Sequence, residues 1–306
     1  ELNDPKIGEL IRAVEAAPVI AIDTETTGLI IHSDMPLFWS LSFDDRRICM
    51  PADTLRLFVT AFADPHKTWV FANAKFDLHI LANYGINIAG HIADTQVMHA
   101  LLYEESSHRL KDMALQLLQW KWLDFGDTFR FNKAGKLEVT KDGLGHVYTH
   151  EEVSKGAFKS VQDAIMWCFY NDRDKLVEYA ANDAFGTWKI YWHLKAELER
   201  NQAFSLYNSQ FQLPMRPGRM LLKIDTQWDY FQQIEMPFTK VLYYCERNGI
   251  LVDKEYLNAL SLEMKAKRVT AQRKLNQIAG REVNVNSVPQ MRKLFIEEMG
   301  LKPLKR

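Results

Sequence analysis

The chain has little of what marks the more specialised classes of protein. It holds 3 cysteines in 306 residues. These are Cys49, Cys168 and Cys245, far apart and each among apolar neighbours. Such spacing makes neither a metal motif nor a disulfide framework, so the three read as reduced core residues. They point to a cytoplasmic or organellar setting rather than a secreted one. No apolar run approaches the roughly 18 residues that a membrane helix requires, and no signal peptide is visible. No internal repeat or low-complexity tract is present, which sets aside repeat architectures. Net charge is only -1 at neutral pH, so composition alone does not announce a nucleic-acid binder. An initiating Met is also lacking. The start at Glu1 and the finish on Lys-Pro-Leu-Lys-Arg read as a fragment of a longer protein.

What is present is ordinary globular material, 47% hydrophobic and 25% charged. The length accommodates one large domain plus a smaller one. Charge is unevenly spread. From Lys265 to Arg306, eleven basic residues including Arg268, Arg273, Lys274 and Arg292 face only Glu282, Glu297 and Glu298. That tail is a plausible DNA-facing surface, or equally a solvated helix pair.

The stretch around which the rest is organised is Val19, Ile20, Ala21, Ile22, followed by Asp23, Thr24 and Glu25. The apolar run reads as a buried strand, and Thr26, Thr27 and Gly28 as the turn that closes it. Period-two alternation puts Asp23 and Glu25 on one face, roughly 7 Å apart along the backbone. Two carboxylates so placed repel each other and lose solvation, a cost that a cation between them offsets. A lone Asp-x-Glu is also simply a strand end reaching solvent.

Around this strand the pattern is that of an open α/β sheet. Residues 6–16 are helical, 38–43 and 46–50 form an antiparallel hairpin, and 54–63 a short helix. A buried strand at 68–71 leads through Asn73, Lys75 and Phe76 to Asp77 and a helix to about Tyr84. Amphipathic helices follow at 94–102 and 110–120. Residues 124–159 are polar and turn-rich and read as an inserted hairpin or excursion. Its Arg130, Lys133, Lys136 and Lys141 prompt the expectation that it borders a DNA path. Helix returns at 161–169 and at 174–198. Residues 201–227, with Pro214, Pro217 and Gly218, are the best linker. Beyond it, 228–248 is a helix with Ile234, Phe238, Val241, Leu242 and Cys245 on one stripe and a kink expected at Pro237. Asp253 then caps a long helix to about Ile278.

Asp77, taken singly, is a helix cap. Tyr179 and Asp183 are four apart on a helix and share a face, with small Ala180 and Ala181 allowing close approach of another element. Alone these are a packed ring and a rim acid. Together and in this order, strand Asp-x-Glu, then Asn-x-x-Phe-Asp, then Tyr-x-x-x-Asp resembles the three motifs of the DEDD 3'-5' exonuclease superfamily, in its tyrosine branch. Ile234-Glu235-Met236-Pro237 and the run from Glu246 to Asp253 are similar to the junction into the polymerase domain of family A DNA polymerases. Asn284 to Ser287, with Gln290 to Leu294, is similar to the start of their thumb.

The resemblance implies a ribonuclease H-like mixed sheet flanked by helices, followed by a helical thumb fragment. Residues 1–200 would be the exonuclease domain, 201–227 the linker and 228–306 the truncated start of the polymerase domain. It implies proofreading hydrolysis of single-stranded or frayed DNA 3' ends with two Mg²⁺ or Mn²⁺ ions. Asp23, Glu25 and Asp183 would hold the first ion, and Asp23 and Asp77 the second. Tyr179 and Glu25 would orient the attacking water, and Leu29 would wedge between terminal bases. Asn73, Lys75 and Phe76 are candidate DNA contacts. The 124–159 segment departs from the family pattern. The palm and fingers motifs are absent, so polymerisation is not expected. Two rivals remain: an RNA-processing exonuclease with the same tyrosine-type triplet, and an inert exonuclease fold kept as scaffold.

Overall fold

The computed structural model describes residues 5–121, 173–202 and 224–302. The excursion at 124–159, the helix at 161–169, Cys168 and most of the 201–227 stretch lie outside the described residues. Two compact units are present, Glu1–Asn248 and Gly249–Arg306.

In the first unit, helix α1 (Pro5–Ala16) leads into strand β1 (Val19–Thr26). The hairpin β2 (Pro36–Ser42) and β3 (Ile48–Pro51) follows. Where one short helix was expected, a 3-10 turn (Ala52–Phe58) runs into α2 (Val59–Ala63). Then come β4 (Thr68–Phe71), α3 (Ala74–Asn83), β5 (His91–Asp94), α4 (Thr95–Leu102), α5 (Leu110–Leu118) and the 28-residue α6 (Arg173–Arg200). Among the described residues the sheet order is β3-β2-β1-β4-β5, with β1 central. β1 pairs antiparallel with β2 and parallel with β4, while β4 pairs parallel with β5. This is the mixed, helix-flanked sheet that the sequence predicts.

Alternation along the strands divides the core in two. Ile20, Ile22, Trp39, Leu41, Trp69 and Phe71 pack on one face with Leu55, Phe58, Phe62 and the inner side of α3. Ala21 and Val70 point to the other, with Met98, Met113, Ile190 and Leu194. Each large side chain so buried stabilises by about 1.5–3 kcal/mol. Small residues at Ala21, Ala180 and Ala184, all fully buried, let α6 lie close across β1 and β2.

β5 was not expected as a strand. Its four residues open on an exposed histidine and are too few to show a period; only the ladder to β4, from Thr68↔His91 to Phe71↔Asp94, makes them one. A Cβ on Gly90 would lie 2.4 Å from the Lys67 carbonyl, so the turn into β5 admits only glycine.

Helices α7 (Gln227–Tyr230) and α8 (Met236–Asn248) flank a wider π turn at Phe231–Glu235. The irregularity expected at Pro237 thus falls just before it, in the turn that the proline's missing N–H cannot close. The expected apolar stripe of α8 is not its packing face: Phe238 and Val241 are exposed, while Thr239 is buried and Tyr243 packs against the sheet's core. Cys245 is likewise exposed and Cys49 half-buried, against the expectation of core cysteines. Helix α8 packs as part of the first unit, which runs to Asn248.

In the second unit Asp253 caps α9 (Lys254–Ala279) through the Tyr256 amide at 2.9 Å, and Gly280, at φ 64°, ends it. The short α10 (Val288–Arg292) follows. Among the described residues no helix is long and apolar enough to cross a membrane.

Candidate active site

β1 delivers two acids on one face and a threonine on the other. Asp23 and Glu25 follow Ala21 toward the side covered by α6. The β1–β2 register shifts between Glu25 and Thr26, an irregularity of the kind that re-aims side chains beside functional sites. Helix α6 brings Tyr179 and Asp183, one turn apart, to the same place. Oxygens of Asp23, Glu25 and Asp183 all lie within 4.8 Å of one another. Two of these acids are buried and Asp23 is half-buried.

Crowding acids out of water makes them hold protons. Burial, then the charges of Asp77, Glu25 and Asp183, keeps the Asp23 carboxyl well above the usual range. Burial first, and the Asp183 charge second, pushes Glu25 up to about 8. Tyr179 is pushed far up by burial, by the charges of Asp183, Glu25 and Asp23, and by its hydrogen bond with Asp183, so it is a phenol and not a phenolate at neutral pH. An all-oxygen donor set whose charges repel suits a hard divalent cation, which would take the place of those protons.

Asp77 stands apart from the three. It lies in the first turn of α3, where Asn73 and not Asp77 occupies the cap position. Its Oδ1 accepts from the Thr24 amide at 3.0 Å and the Thr24 hydroxyl at 2.6 Å. Burial raises its pKa to about 7 against those two bonds. Its charge is nonetheless the second cause of the rise at Asp23, so the two acids share one field.

The start of α3 is held by Asp94. Its carboxylate caps α4 through the Gln96 amide at 2.9 Å. It also accepts from the Asn73 and Ala74 amides at 3.1 and 2.7 Å, which sequence reading did not anticipate. Asn73 is exposed and left-handed, at φ 75°. Phe76 is half-buried, and the Lys75 ammonium is paired with Glu246 of α8. Leu29 is 68% exposed and its neighbour Ile30 65%. Both apolar side chains stand in solvent.

Sequence reading missed Lys111. Its ammonium lies 4.5 Å from the centre of the Tyr179 ring, and its charge offsets part of the rise at Asp23 and Glu25. Nothing in the sequence separates it from the other lysines of amphipathic helices. His79 and His108 meet Glu246 and His99 respectively. Among the described residues no histidine or cysteine joins the acidic cluster.

Residues 3–199 match the 3'-5' exonuclease family of the DNA polymerase A type. The chain belongs to that family. Curated relatives of this exonuclease domain are bacterial and organellar polymerases. DNA polymerase I B, chloroplastic/mitochondrial, of Arabidopsis thaliana is 27% identical over 300 residues, 90% of this chain and 28% of that protein. DNA polymerase I of Chloroflexus aurantiacus is 23% identical over 310 residues, 97% of this chain and 27% of that protein. The chain thus spans about a quarter of the length of these relatives. Among solved structures, the POL domain of Pol1 from M. smegmatis in complex with DNA primer-template and dNTP superposes with a TM-score of 0.65. That likeness covers 99% of this chain and 41% of the other at 14% identity, and it is a likeness of fold.

Proposed function

We propose that this 3'-5' exonuclease domain is the proofreading module of a family A DNA polymerase. On this reading residues 1–200 are the exonuclease and 228–306 the start of the polymerase domain, whose remainder is its covalent partner. The observation that carries it is the convergence of Asp23, Glu25 and Asp183 within 4.8 Å from elements about 160 residues apart in sequence. A fold kept only as scaffold has no need to crowd three carboxyl groups against one another.

Asp23, Glu25 and Asp183 would hold one divalent ion, Mg²⁺ or Mn²⁺, and Asp23 with Asp77 a second. Bound there, such ions activate water and stabilise the departing 3' oxygen. The chain's own groups do the positioning. Tyr179, a phenol held by Asp183, and Glu25 orient the attacking water; the high pKa of Tyr179 suits a hydrogen-bond donor and not a base. The water oxygen bonds to phosphorus as the bond to the 3' oxygen breaks, releasing a nucleotide 5'-monophosphate. Leu29 grips the unpaired terminal bases, with Asn73, Lys75 and Phe76 as further contacts.

The test is a time course on 3'-labelled DNA and RNA strands and on matched and mismatched duplexes, with Mg²⁺ or EDTA. Metal-dependent loss of single-stranded and mismatched DNA ends, absent in Asp23→Ala, is expected. Preference for RNA would move the chain to the RNA-processing class, and equal rates on matched and mismatched ends would remove proofreading.

A further inference from the structure

The run from Glu246 into the second unit looked from sequence like a junction and nothing more. In the structure Glu246 and Arg247, the last turn of α8, make the polar attachment of that helix to α3. Lys75, His79 and Asn83 recur every four residues and so form one stripe along α3. Glu246 takes the first two: Oε1 accepts from the Lys75 ammonium, and Oε2 lies 3.1 Å from His79 Nε2. His79 is 1% exposed, with its ring 4.6 Å from that of Tyr243. Arg247 takes the third, its Nη1 donating to Asn83 Oδ1 at 2.6 Å.

The path does not stop at Asn83. Its amide nitrogen donates to the Ile31 and Asp34 carbonyls at 3.0 and 2.8 Å. The Asp34 carboxylate in turn accepts from the Ile30 amide at 2.6 Å and the Thr27 hydroxyl at 2.9 Å. It also sits so close to Gly28 that a Cβ there would lie 2.6 Å away. Three links therefore join Arg247 to the loop that holds Leu29 and Ile30 in solvent. Asp77 lies two residues from both Lys75 and His79, hence on the opposite side of α3, where it meets Thr24. The setting of α3 against α8 thus fixes Asp77 on one side and the Leu29 loop at the far end.

We propose that Glu246 and Arg247 are positioning residues of the exonuclease site, Glu246 acting through α3 on Asp77 and Arg247 acting through Asn83 on the strand-end loop. The roles of Asp77 and of that loop are those of the function proposed above. Neither residue touches the acidic cluster, so the two effects separate. Losing Arg247 loosens the grip on substrate, and losing Glu246 misplaces Asp77.

The experiment uses the 306-residue chain on a 3'-labelled single strand, with melting temperature and hydrogen exchange measured alongside. Arg247→Ala should raise KM about tenfold with kcat within about twofold, and Glu246→Ala should lower kcat about tenfold. In Arg247→Ala the Ile30, Ser33 and Asp34 amides should exchange about tenfold faster while β1 and β4 are unchanged. Asn83→Leu should reproduce the Arg247→Ala result, and the double variant should add nothing to it, because both cut one path. Arg247→Lys, which keeps a donor, should recover most of the KM. Unchanged exchange in the 27–35 loop, or additive effects of Asn83→Leu and Arg247→Ala, would overturn the Arg247 half. Unchanged kcat in Glu246→Ala would overturn the other. If Arg247→Ala does not fold, Asn83→Leu alone decides. If the unmodified chain degrades no strand, the function proposed above fails, while exchange in the loop still tests the Arg247 path.

Discussion

The two compact units bury their residues in opposite ways. The first hides Trp39, Trp69, Phe58 and Phe62 completely between a sheet and helices on both its faces. The second is built on α9, 26 residues long, in which no residue is buried. Among the described residues its interior comes down to Val283 and Leu294, joined by polar links such as Gln272 to the Val283 carbonyl at 2.7 Å. Leu262, Met264, Ile278 and Val288 are exposed. Buried, mutually repelling acids require walls that do not yield, and only the first unit has them. The second leaves those apolar side chains in solvent.

The largest expected effect lies at the acids. Asp183→Ala should cut the rate of strand hydrolysis by at least about a thousandfold while circular dichroism stays unchanged. Near-normal activity would remove the cluster from the chemistry and with it the reason for the first unit's rigidity.

The comparison itself is tested by matched truncations. Trp69→Ala, fully buried and stacked on Phe62 at 4.6 Å, should cost about 3–5 kcal/mol in urea unfolding. Leu262→Ala should change stability by no more than about 0.5 kcal/mol. Equal costs would mean that the second unit hides a core of its own.

A smaller effect concerns pH. Glu25 and Asp77 titrate near 8 and 7 in the folded chain, against about 4.5 and 3.8 when unfolded. Between those values the folded state binds more protons, so stability falls as pH rises. Without metal, the melting temperature should drop on the order of 5 °C between about pH 5 and pH 8, and Mg²⁺ or Mn²⁺ at pH 8 should restore it. A metal-free chain equally stable at both would show that the acids are not desolvated. Mildest is Tyr179→Phe, expected to slow hydrolysis about tenfold with little change in KM. An unchanged rate would remove Tyr179 from the mechanism.

Legibility followed the reach of each signal. β1, the β2–β3 hairpin and the pairing of Tyr179 with Asp183 rest on periods of two and four residues, which short sequences display. β5 was lost because four residues carry no period and its partner strand lies twenty residues earlier. The outward-facing stripe of α8 misled for a related reason: apolar spacing says that a face exists, not that it meets the nearest sheet. Lys75 read as a candidate DNA contact, and only the folded chain shows Glu246 across from it. Asp94 opens its helix within one local stretch, but its grip on Asn73 and Ala74 depends on β4 and β5 being neighbours.

The sequence by itself determined which acids exist, that Asp23 and Glu25 share one face of a strand, and that Tyr179 and Asp183 share one face of a helix. Those are consequences of local backbone geometry. Only the tertiary structure decided that α6 lies across β1 closely enough to close three carboxylates within 4.8 Å, and that Asp77 is turned aside to Thr24. It also decided that the last turn of α8 reaches the loop of Leu29 through Asn83. Such placements depend on which buried surfaces fit one another, and that fit is set by contacts between residues far apart along the chain.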